Sequence, residues 1–156
     1  MSIKVLLSYI GVLKMRAKLN IFLLSLMLST NTVIAVDKDS MQLVELPEMM
    51  QTHMMSNMRD HLVTINEILI NMADNHLDKA ADLAESRLGI SSLDKHGASH
   101  MGKFMPEGMR KAGTTMHRQA SQFALKAQEG DAAAAYKALS GVTSACVACH
   151  AGYRIR

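Results

Sequence analysis

From Ala132 to Tyr153 the chain sets a small or apolar residue at every third or fourth position without a break: Ala132, Ala135, Leu139, Val142, Cys146, Cys149 and Tyr153. Residues spaced this way share one face of an α-helix. Such a seam requires a partner surface of the same length, as in a helical bundle. The same rhythm occupies most of the preceding sequence. Met54, Met58, His61, Ile65, Ile68 and Met72 trace one face; Leu77, Ala80, Ala84 and Leu88 a second; Met109, Thr115 or Met116, Ala120, Phe123 and Ala127 a third. No stretch alternates with a period of two, so the expected class is all-α with no strand.

Punctuation divides these stripes into four helices. Pro47 and Glu48 suit an opening turn. Asn75 is the expected cap of the second helix, and Gly89 its expected left-handed stop. A loop from Ile90 to about Met105 follows. Pro106 opens the third helix, Gly130 ends it, and Asp131 caps the fourth. Four helices with one longer connection predict an antiparallel four-helix bundle. With no Trp and three Phe in the whole chain, a large flat cofactor would fill volume that the side chains leave.

The first 35 residues read as an export signal, and Val36 to Arg156 as the single folded domain. Lys14, Arg16 and Lys18 precede an apolar run from Leu19 to Leu28, and Val33-Ile34-Ala35 supplies a cleavage site, with the cut expected after Ala35. Met15 is an alternative start. Ser25 and the Ser29–Thr32 stretch make the run too short and broken for a membrane span. The expected location is the periplasm, with at most peripheral membrane contact. Cleavage removes Lys4, Lys14, Arg16 and Lys18, leaving 13 basic against 14 acidic residues, and the formal charge moves from +3 to −1. Nothing in that balance attracts nucleic acid.

The chain's two cysteines stand at Cys146 and Cys149, and His150 follows at once: C-V-A-C-H, the attachment pattern of c-type haem. Positions three apart share a helix face, so both sulfurs can reach one porphyrin edge while the imidazole reaches the iron. Three other chemistries compete for the same residues. A thiol oxidoreductase calls for a βαβ setting and an exposed sulfur. Structural zinc needs two further ligands. A plain disulfide is the third.

From Leu46 to Arg156 the chain resembles the cytochrome c′ family, above all in its ending, C-V-A-C-H-A-G-Y-R. The resemblance implies a four-helix bundle with one covalent haem c, thioethers at Cys146 and Cys149, His150 as proximal ligand of the iron, and Tyr153 and Arg154 around the haem. Arg154 also lies one turn after His150, where a cation suits the end of a helix. In the family the first helix lines the distal face. Some members bind small gases such as nitric oxide or carbon monoxide at an open iron; others ligate it with Met and carry electrons. Members often pair through their first two helices, so a homodimer is expected.

Met58 falls about where the distal residue would stand, with Met54 beside it and Met50 a turn earlier; His61 on the same stripe is an alternative ligand, and plain packing accounts for the methionines as well. Arg59 follows Met58, whereas the family more typically has a basic residue a turn before the ligand. A second group, His96, His100, Met101, Met105 and Met109, has ligand types suited to copper, although packing of the methionines and solvation of the histidines accounts for it as well. His53, His76 and His117 read as surface residues. The reading is a haem electron carrier serving redox partner proteins, not an enzyme. Its rivals are a gas-binding haem protein and a Met- and His-rich copper protein.

Overall fold

A computed structural model describes residues 40–156; the expected leader and its cut after Ala35 lie outside them. The described chain is all-α. Its elements in order are β1 (Gln42–Leu43), α1 (Glu48–Ala73), α2 (Leu77–Arg87), α3 (Ala98–Met101), α4 (Glu107–Gln128), α5 (Ala132–Gly152) and β2 (Tyr153–Arg154). Single turns of 3-10 helix at Ile90–Ser92 and Gly102–Phe104 flank α3.

The starts of the long helices follow the expected chemistry. Pro47 and Pro106 precede α1 and α4, each with an acid in the first turn, where it faces the positive end of the helix dipole. The Asp131 carboxylate accepts from the Ala134 amide at 2.9 Å, satisfying one of the unpaired donors at the start of α5. Gly130 takes the left-handed conformation at φ +75°, which costs a residue without Cβ nothing.

Two corner readings need correction. Asn75 is not the cap of α2: it turns the corner itself at φ +58°, and His76 holds the cap position. Asn tolerates this left-handed region better than most side chains. Gly89 is not left-handed, since its φ is −69°; its amide and that of Leu88 both donate to the Ala84 carbonyl and close α2 without a reversal.

The closest helix packing runs α1 with α2, α2 with α4, and α4 with α5. One apolar cluster joins all four: Ile68 and Met72 of α1, Ala80 and Ala84 of α2, Ala120 and Phe123 of α4, and Leu139 and Val142 of α5. Alanine on α2 and α4 lets the backbones approach, and Phe123 fills the resulting centre. Arg87 of α2 binds Asp60 and Glu67 of α1 together. These side chains are partly exposed, so each pair is worth only about 0–1 kcal/mol. Their spacing of seven residues along α1 nevertheless fixes the register of the two helices.

By length and mean hydropathy α5 would also cross a membrane, but its Ala135, Leu139 and Val142 face is spent on the core.

Candidate functional site

A second apolar cluster lies apart from the first and contains Val44, Leu46, Met54, Met101 and Met109, with Met58, Met105, Cys149 and Tyr153 packed against it. The segment before α1 reaches this cluster through a feature absent from the helical reading. β1 and β2 pair in parallel, Gln42 with Tyr153 and Leu43 with Arg154, and the Val44 amide donates to the Arg154 carbonyl at 2.7 Å. The chain leaving α5 is thereby tied down three residues after His150. Gly108 completes the fit, because a Cβ there would collide with the Tyr153 hydroxyl.

Beside this cluster is a cavity of about 540 Å³, within the roughly 300–1,000 Å³ usual for small-ligand and cofactor sites. Met54, Met58 and His61 of α1 line it, with Met101 and Met105 of the connection, Met109 and His117 of α4, Cys149 and His150 of α5, and Tyr153 and Arg154 of β2. Five of the six residues expected at the site therefore meet around one space. Cys146 does not line it: half-buried one turn earlier, it packs against the main core. Arg154 lies in the extended segment, not in the last helical turn, so it is no helix cap. Its Nε is buried with no hydrogen-bond partner.

The cysteines stand as free thiols. Burial pushes both above the usual thiol range, and neighbouring Cys146 adds to the effect on Cys149. Protonated, half-buried thiols are weak nucleophiles.

Of the copper-type group, Met101, Met105, Met109 and His96 line the cavity, whereas His100 is exposed and does not. Met109 is buried and Met105 packs partly buried against the second cluster, as expected for packing residues; Met101 is buried with them.

The sequence reading misses a cluster at the cavity wall. His117 and His96 are not surface or solvated residues: they are 7% and 8% exposed, and His61 is 7% exposed. Their ring centroids lie 4.7 Å (His61–His96), 5.4 Å (His96–His117) and 6.0 Å (His61–His117) apart. Each comes from a different element. His61 is on α1; His117 is on α4 with Nδ1 2.7 Å from the Leu88 carbonyl; His96 is on the connection, where the Asn57 amide donates to its backbone carbonyl at 3.1 Å. The one legible signal was His61, which falls on the inward stripe of α1. His117 directly follows the stripe residue Met116, and no periodicity marks His96.

Burial lowers His61 to about 4, reinforced by His96 and His117 and opposed by Asp60; burial lowers His96 and His117 as well. The folded chain thus resists protons that the unfolded chain accepts, and the associated stability is complete above pH 6.5 and is lost as the pH falls toward 4. His61 alone should cost the chain roughly 2 kcal/mol between pH 7.5 and 5.0. Urea unfolding at those two pH values checks this: the midpoint should fall on acidification, and less so in His61→Leu. An unchanged midpoint would contradict neutral burial.

Comparison with known proteins finds no matching family model, curated protein or solved structure.

Proposed function

We propose that this chain is an exported c-type cytochrome, an electron carrier with one haem joined through thioethers to Cys146 and Cys149, His150 as proximal ligand and Met58 as distal ligand. The proposal includes an antiparallel four-helix bundle of the cytochrome c′ kind for α1, α2, α4 and α5. One observation carries it: Cys149 and His150 of the C-V-A-C-H run, in the last turns of α5, line an apolar cavity that Met58 of α1 also lines, with Cys146 one turn earlier.

The residues present fit such a group. The cavity wall is mainly thioether and hydrocarbon, which suits a porphyrin face. The unpartnered Nε of Arg154 is a buried donor that a carboxylate edge would satisfy. When bound, the haem supplies the one-electron redox change. The chain's part would be to hold it through Cys146, Cys149, His150 and Met58 and to exclude water with Met54, Met101 and Met109. A thioether from Met58 would raise the potential relative to a second imidazole. Leu62, Leu69 and Ile70 stand exposed on α1, which supports the expected pairing of two copies.

The test is the visible spectrum of the purified exported protein, oxidised and reduced. A low-spin haem with a sulfur-to-iron band is expected, and Met58→Ala should turn it high-spin and open it to carbon monoxide. An unchanged spectrum in Met58→Ala would remove Met58 from the iron. Tight carbon monoxide binding by the unmodified ferrous protein would favour the gas-binding rival.

A further inference from the structure

We propose that His61, His96 and His117 form a binding site for a divalent transition-metal ion of the zinc type, separate from the haem-attachment residues. Ligand type is the first argument. Three imidazoles are the protein ligands of an open tetrahedral zinc site, with the fourth position left to water or another small ligand.

Spacing is the second argument. With metal–nitrogen bonds of about 2.0–2.1 Å, ring centres about 1.2 Å behind the nitrogens and tetrahedral angles, ligating imidazoles have centroids about 5.2 Å apart. The three observed separations, 4.7, 5.4 and 6.0 Å, bracket that value. Among the described residues no set of donor atoms already converges as a metal site. Turning an imidazole about its Cβ–Cγ bond re-aims both nitrogens while leaving its centroid nearly in place, so the centroid spacing is the quantity the backbone fixes.

The partners of the rings are the third argument. His117 is held through Nδ1 by the Leu88 carbonyl, the outer bond that orients a metal-ligating imidazole and leaves Nε2 for the ion. His96 has only a long 3.4 Å contact from Nδ1 to the Ser92 hydroxyl. The Nε2 of His61 is buried without a partner, a costly condition for a polar atom that ligation would relieve. The two loosely held rings can turn toward the fixed one. All three are held neutral by burial, so an ion would displace few protons.

This inference does not depend on the haem. Full-length protein as isolated, in whatever haem state, is stripped with chelator and dialysed against zinc chloride. Bound zinc is then measured by elemental analysis. One zinc per chain is expected, with His96→Gln and His117→Gln each weakening it at least about tenfold and His76→Gln with His100→Gln leaving it unchanged. Absence of bound zinc, its persistence in both cluster variants, or its loss in the exposed-histidine variant would overturn the site. X-ray absorption at the zinc edge of the unmodified protein decides independently of how the variants fold. Three imidazole nitrogens are expected, and sulfur or carboxylate ligation in their place would overturn the proposal.

Discussion

Cys146→Ser together with Cys149→Ser should leave the chain with no covalently held haem, so that a denaturing gel stained for haem peroxidase activity shows no band at its mass. The effect is all-or-none. A serine hydroxyl does not replace a thiol in forming a thioether, and haem held only by axial ligands washes out once the protein is denatured. The substitutions should spare the fold. Both side chains are only half-buried, serine is close to cysteine in helix propensity, and the seam of α5 retains Ala135, Leu139 and Val142 in the core. Far-UV circular dichroism of the haem-free variant should therefore remain that of an all-α protein. Haem staining that survived both substitutions would refute attachment at these residues. A variant that lost its helices as well as its haem would show that the motif serves packing too.

The second large effect concerns the core that holds the site in place. Phe123 is fully buried and packs in the cluster shared by α1, α2, α4 and α5. The same cluster includes Ala80, Ala84, Ala120 and Ala124, which have no side-chain length with which to close a gap. Phe123→Ala should therefore cost about 3–5 kcal/mol, a large share of the roughly 5–15 kcal/mol that stabilises a typical domain. Leu125, two residues on and 50% exposed, provides the comparison: Leu125→Ala should stay within about 0.5 kcal/mol of the parent. Urea unfolding followed by circular dichroism measures both. Equal losses would mean that the centre of the helical core lies elsewhere.

Much of this arrangement was legible because helix periodicity and helix-start chemistry are local. The α5 seam from Ala132 to Val142, the stop at Gly130 and the Asp131 cap depend on residues within a few positions of one another, and the structure has them where the sequence predicts; Tyr153, read as the end of that seam, lies instead in β2, because the helix stops at Gly152. Met54, Ile68 and Met72 are buried as the α1 stripe requires, although buried Thr64 takes the place of half-buried Ile65. The stripe is broader than one residue per turn, so its edge cannot be read from spacing alone.

What was not legible depends on distant pairing. Two residues of β1 pair with two of β2 across more than a hundred positions, too short a run to show a period. The same pairing takes Arg154 out of the helix where local reasoning placed it. His96 and His117 look polar in sequence, and only the approach of the connection and α4 to His61 reveals that they are buried. Asn75 and Gly89 failed for a subtler reason: asparagine suits a left-handed corner as well as a cap, and the chain leaves α2 at Gly89 without a reversal.

Arg154 connects the legible and illegible parts. The family resemblance brings it near a haem, and the structure gives its Nε no partner beside a cavity lined by Cys149, His150 and Met58. The central claim is that this cavity is built around a covalent haem.

Intact-mass spectrometry of the full chain expressed in cells that attach haem to c-type cytochromes, purified and fully denatured, tests that most directly. A chain heavier than its polypeptide by one haem is expected, with the added mass mapping to the peptide that contains Cys146 and Cys149. A chain of bare polypeptide mass, isolated from cells that attach haem to a known c-type cytochrome, would contradict it.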